Sequence, residues 1–142
     1  MGPRPRVETL EEWAHALAEQ EITHVVSLIE GEEVSAFDLE SEPDHLSKHK
    51  IGFTRFPIKD FGTPDPAAFR GLIDELVDSL KRGERLFLHC NGGIGRAGLT
   101  ACCLLTSFYC QKVDAFEIVS KARGKPCPET QEQNEFVSNF LK

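Results

Sequence analysis

Leu86-Phe87-Leu88-His89-Cys90-Asn91-Gly92-Gly93-Ile94-Gly95-Arg96-Ala97-Gly98 runs an apolar strand through a glycine-rich turn into an apolar helix, with a cysteine opening the turn and an arginine closing it. Glycines let a backbone turn tightly and approach a bound group, and N–H groups at the start of a helix converge on an anion. The spacing predicts an anion cradle with Cys90 at its base and Asn91, Gly92, Gly93, Ile94 and Gly95 around it. Those N–H dipoles, with the Arg96 guanidinium, favour a charged sulfur. Arg96 has a second task, because its planar fork can grip two phosphate oxygens where a lysine offers only a point charge. The alternative is a structural cysteine buried in a strand-turn-helix corner.

Outward from this stretch, helices and strands alternate. Thr9-Leu10-Glu11-Glu12 has the form of a capping box and opens a helix to about Gln20, with Trp13 and Leu17 inward. Ile22 to Ile29 and Phe53 to Ile58 read as strands, and Glu30 to Lys50 as an acidic loop holding one helical turn. Phe69, Leu72, Ile73, Leu76, Val77 and Leu80 mark one face of a helix opened by Asp65-Pro66 and closed at Gly83. A buried helix follows the cysteine turn to about Cys110, and two more span about Asp114 to Ala122 and Thr130 to Leu141. Met1 to Arg6 reads as a flexible, solvated tail. Strands separated by helices predict an α/β fold with a mainly parallel central sheet flanked by helices on both faces, the cysteine turn at the carboxyl end of a central strand.

At 142 residues, 40% hydrophobic and 27% charged, the chain suits one globular domain over residues 1–142. A net charge of −7 argues against nucleic acid as a partner, since binding a phosphate backbone needs a basic face. Five cysteines without framework spacing, one of them a candidate thiolate, favour a reducing compartment, cytoplasm or nucleus. No run is apolar enough for a membrane span, Arg6 stands where a myristoylation signal wants Ser or Thr, and Asn139-Phe140-Leu141-Lys142 carries no prenylation cysteine. The expectation is a soluble monomer without a membrane anchor. His and Cys do not cluster at ligand spacing, so neither metal nor other cofactor is expected.

His89-Cys90-x-x-Gly93-x-Gly95-Arg96, with its strand and helix, resembles the signature loop of the cysteine-based protein tyrosine phosphatase superfamily, in particular its small dual-specificity members. The resemblance implies a phosphatase-like fold and attack of Cys90 on phosphorus, with Arg96 binding the transferred phosphoryl group. It also implies a general acid from a loop carrying an Asp three residues after a proline. In Pro57-Ile58-Lys59-Asp60-Phe61-Gly62-Thr63-Pro64-Asp65 that places the role on Asp60, while Asp65, before Pro66, is explained as a helix N-cap. His89 is expected to orient the loop, or simply to fill a satisfied core position. Thr130-x-x-Gln133 resembles the late segment that helps position the hydrolytic water, although capping by Thr130 explains the same residues. Glu129 departs from that pattern, standing where classical tyrosine phosphatases carry glutamine. Pro3-Arg4-Pro5-Arg6 resembles an arginine-bearing N-terminal loop of some small members.

The largest departure is Ala97, where the family usually has a hydroxyl that bonds the departing sulfur. One such bond is worth about 1.5–3 kcal/mol, one to two orders of magnitude in rate. The phosphatases of regenerating liver share this alanine and are sluggish. Three readings follow: a phosphatase of phosphotyrosine, and of phosphoserine or phosphothreonine, in protein substrates; a slow phosphatase-fold binding module; or a phosphatase of RNA 5′ ends or small phosphate esters. The loop between Cys90 and Arg96 has no lysine to meet additional phosphates, which argues against phosphoinositides.

Overall fold

A computed structural model describes residues 1–140. Three short strands, β1 (His24–Ser27), β2 (Gly52–Arg55) and β3 (Leu86–His89), form a parallel sheet in the order β2-β1-β3. Successive side chains of a strand leave opposite faces, so an apolar run must be covered on both. On one face Val25 packs with Ala14 and Leu17 of α1 (Leu10–Glu19) and, past the short α2 (Gly31–Ala36), with Leu46 of α3 (Glu42–Lys48). On the other face Val26 and Leu88 meet α4 (Pro66–Lys81), α5 (Arg96–Phe108), α6 (Ala115–Arg123) and α7 (Gln131–Asn139). The predicted α/β architecture, parallel and covered on both faces, is the one observed, but β3, expected as a central strand, stands at the edge of the three described strands, with β1 at the centre and a single bridge from Gly2 on its outer side. Among the described residues no helix is long and apolar enough to cross a membrane.

α5 is the central helix, with Ala97, Leu99, Cys102 and Cys103 buried. The periodicity read in α4 is realised as Phe69, Leu72, Ile73 and Leu76 facing inward, with Phe69 edge-on to Phe136 and Phe140. Leu141, assigned from sequence to the apolar face of α7, lies outside the described residues.

Three expectations are corrected. Thr9 makes no side-chain cap among the described residues; a 3-10 turn, Val7–Thr9, leads into α1 instead. The acidic stretch after β1 holds two helices rather than a loop with one turn, each too short to show a periodic face. Residues 1–6 are not a solvated tail. Gly2 N–H donates to the Leu88 carbonyl at 3.0 Å and Arg4 N–H to the Asn91 carbonyl at 3.1 Å, so the segment lies beside β3 and along the cysteine turn. The Arg4 guanidinium also stacks on Phe37, 3.6 Å from the ring centroid.

Candidate active site

The cysteine turn lies between the end of β3 and the first turn of α5, at the carboxyl edge of the sheet. Cys90 is 3% exposed and its Sγ accepts the Gly93 N–H at 3.3 Å. It forms the base of a pocket of about 150 Å³ lined by Asn91, Gly92, Ile94, Gly95 and Arg96, with Asp60, Phe61 and Glu129 at the rim. Gly93 has φ +73°, and a Cβ there would collide with the backbone of Gly2 and Pro3. Glycine is therefore demanded twice, by the turn and by the N-terminal segment behind it. Arg123 of α6 donates to the carbonyls of Gly93 at 2.8 Å and Gly92 at 3.2 Å. In a planar trans peptide, a carbonyl held outward turns the following N–H the other way, toward the pocket.

Arg96 is 1% exposed. Burying a guanidinium costs several kcal/mol unless a partner offsets it. Here Glu33 of α2 accepts both terminal nitrogens, at 2.6 and 2.9 Å, and the Ile58 carbonyl accepts a further bond at 2.9 Å. Burial works against the charge on Arg96, but Glu33 and then Asp60 outweigh it and hold the guanidinium above its ordinary value. Burial likewise pushes Glu33 up, and the Arg96 bonds with the Glu30 N–H hold it below the usual carboxylate range. Arg96 Nε is buried and has no partner among the described residues.

Asp60 and Asp65 part clearly. Asp65 accepts the Ala68 N–H at 3.0 Å as the N-cap of α4, the role its place before Pro66 predicted. Asp60 is half-exposed at the pocket rim, with Oδ1 3.2 Å from Arg96 and accepting the Phe61 N–H at 3.0 Å. Phe61 takes a left-handed φ of +62°, unusual for a bulky residue.

His89 is fully buried, its Nε2 2.6 Å from Glu42 Oε2 and its Nδ1 3.4 Å from the Cys90 carbonyl. The ring is a satisfied core group that also contacts the cysteine backbone. Gln133 is also fully buried: its Oε1 accepts the N–H groups of Glu129 and Thr130 at 3.1 Å, and its Nε2 donates to the Gly62 carbonyl at 3.1 Å. It is a strut between the Asp60 loop and the start of α7, its amide atoms 3.2 Å from the point where a Cβ on Gly95 would stand. Glu129, not Gln133, lines the pocket.

Sequence reasoning missed Glu33, Glu42 and Arg123. Glu30 and Glu33 stand at capping-box spacing, a signal that was available; nothing local marks Glu42 or Arg123. The remaining cysteines are free thiols. Burial pushes Cys102 up to about 12, and Cys103 and Cys127 upward as well, so these sulfurs are poor nucleophiles.

A thiol at the base of an N–H-lined turn, with a buried arginine and a rim carboxylate, defines a cysteine-based phosphatase domain of the dual-specificity type. Residues 4–137 match the family model described as the Swiss Army Knife protein, DSP-PTPase phosphatase domain (PTP-SAK). The chain belongs to that family.

Among curated relatives, mouse cyclin-dependent kinase inhibitor 3 is 30% identical over 109 residues, 76% of this chain and 52% of the relative. The putative tyrosine phosphatase 067L of Invertebrate iridescent virus 3 is 39% identical over 72 residues, 46% of this chain and 30% of that one. The chain thus spans about half the length of the first of these relatives. Among solved structures, kinase-associated phosphatase with its catalytic-site cysteine replaced by serine superposes with a TM-score of 0.83 at 26% identity, over 92% of this chain and 74% of that one. Tk-PTP in its active form gives 0.74 at 26%, over 97% and 87%.

Proposed function

We propose that this chain, as a single catalytic domain, hydrolyses phosphate monoesters of proteins, phosphotyrosine foremost, through a phosphocysteine on Cys90. The observation that carries this reading is the Nε of the buried Arg96 beside the Cys90 pocket, which has no partner among the described residues. A buried donor without a partner is costly, and a phosphate oxygen in the cradle supplies one. Cys90 Sγ attacks phosphorus, Asp60 protonates the leaving oxygen, and the loop N–H groups with Arg96 carry the equatorial charge.

Phe61, 58% exposed, offers its ring to a tyrosyl ring entering the pocket. It also borders a neighbouring depression of about 460 Å³ that includes Glu132 and Glu135. Carboxylates there repel a polyanionic RNA end and suit a peptide with basic flanking residues. The test is phosphate release from phosphotyrosyl, phosphoseryl and phosphothreonyl peptides, a phosphoinositide and a 5′-phosphorylated RNA. The expected result is a kcat/KM for phosphotyrosyl peptide at least about tenfold above RNA and lipid, roughly 1.4 kcal/mol in transition-state binding. A preference for RNA or lipid overturns the substrate assignment.

Ala97 favours a second reading, slow turnover with phosphoprotein retention. It is fully buried beside the cradle, and the nearby Thr100 hydroxyl donates to the Arg96 carbonyl at 2.8 Å rather than to the sulfur. Ala97→Ser is expected to raise the steady-state rate about tenfold to a hundredfold, the scale of one charge-assisted hydrogen bond. An unchanged rate removes the support for a slow second step.

A further inference from the structure

The geometry points to Glu129 as the residue that holds and deprotonates the water attacking the phosphocysteine, leaving Asp60 to the first step; this rests on the covalent reading above. The pocket has two rim carboxylates, Asp60 and Glu129. They enter from different segments: Asp60 from the loop before α4, Glu129 from the residue before the Thr130 cap of α7. Glu129 Oε2 lies 3.1 Å from the point where a Cβ on Gly95 would stand, against the cradle's own backbone. The Gln133 amide stands 3.2 Å from the same point, so glycine at 95 admits both side chains against the loop, and what separates them is that only Glu129 lines the pocket.

The group that resemblance offered for this task is engaged elsewhere. Gln133 is fully buried, its oxygen accepts two backbone N–H groups and its amide donates to Gly62. One of those N–H groups belongs to Glu129 itself, so Gln133 positions Glu129 rather than the water. Glu129 makes no side-chain hydrogen bond or ion pair among the described residues, whereas Asp60 Oδ1 is shared between Arg96 and the Phe61 N–H. An exposed, unengaged carboxylate at the mouth of the cradle can both accept a proton and return it to solvent.

In the step proposed, a water oxygen bonds to phosphorus while the phosphorus–sulfur bond breaks, its electron pair returning to Cys90 Sγ as thiolate. One water proton passes to Glu129, and inorganic phosphate leaves. Because Ala97 gives the departing sulfur no hydroxyl, activating the nucleophile is the assistance the pocket still provides.

Rapid-quench kinetics with an activated aryl phosphate, which needs little leaving-group protonation, tests this. Glu129→Gln is expected to keep the wild-type burst rate constant while lowering the steady-state rate about 10²-fold, the lower range of general-base effects. KM falls with it, and acid-quenched protein carries phosphate on Cys90. Asp60→Asn slows the burst with poorer leaving groups and accumulates no phosphoenzyme. The proposal is overturned if Glu129→Gln hydrolyses the intermediate at the wild-type rate, or if Asp60→Asn is the variant that accumulates it. If no variant forms phosphocysteine, the covalent reading fails instead. The thermal unfolding midpoint of Glu129→Gln, expected to match wild type, together with its unchanged burst rate constant, separates this role from a structural one.

Discussion

Cys90→Ser is expected to lower turnover by at least about 10⁴-fold, the scale on which removing a covalent nucleophile acts. A serine hydroxyl at the base of the cradle keeps the shape of the site but not its nucleophile, because the anion field that favours a thiolate is far too weak to ionise an alcohol. The cradle depends on the sulfur for one bond, the Gly93 N–H to Cys90 Sγ at 3.3 Å, and a serine oxygen can also accept from that donor. Gly93 is held by its φ and by the Gly2–Pro3 backbone behind it, Gly92 and Gly93 by Arg123, and Arg96 by Glu33. The serine variant should therefore still bind a phosphotyrosyl peptide, or a tetrahedral analogue of vanadate such as tungstate, with near wild-type affinity. Binding calorimetry beside a turnover assay checks both halves, and appreciable residual catalysis overturns the covalent mechanism.

Asp60→Asn is expected to cost about 10²–10⁴ in the rate of cleaving an alkyl or peptide phosphate, and far less with an activated aryl phosphate. The reason is chemical: a phenolate that leaves readily needs no proton at the transition state, whereas a poor leaving group does. Asparagine retains an oxygen for the Phe61 N–H and for Arg96, so the loop keeps its shape. Asp65→Asn is the control. Asparagine is as good an N-cap as aspartate, so the cap bond to Ala68 survives, and neither stability nor chemistry should move appreciably. A ladder of leaving groups of graded acidity reads the effect directly, and a larger loss at Asp65 than at Asp60 reverses the assignment.

What could be read in advance follows the range of the interactions. The cysteine turn, α4 and α5 announce themselves because their signals are local: glycines at fixed offsets, a 3.6-residue apolar repeat, an aspartate before a proline. The parallel sheet follows from the alternation of helices and strands. The supports of the site were hidden because each lies far away in sequence. Glu33 reaches Arg96 across 63 positions, Glu42 reaches His89 across 47, and Arg123 meets the turn from α6. Their helices, α2 and α3, have one buried apolar residue each, Val34 and Leu46, so no apolar face was visible and their acidic residues read as solvated. The N-terminal segment misled for a similar reason: Gly2 and Arg4 are held by main-chain bonds to Leu88 and Asn91, which no side-chain pattern encodes.

Passage of phosphate through Cys90 is read by acid-quenching the wild-type protein within its first turnover of an aryl phosphate and mapping the phosphate by peptide mass spectrometry. The expected result is close to one phosphate per chain on the peptide containing Cys90, matched by a burst of phenol of the same size. Steady turnover with neither a burst nor phosphate on Cys90 would contradict it.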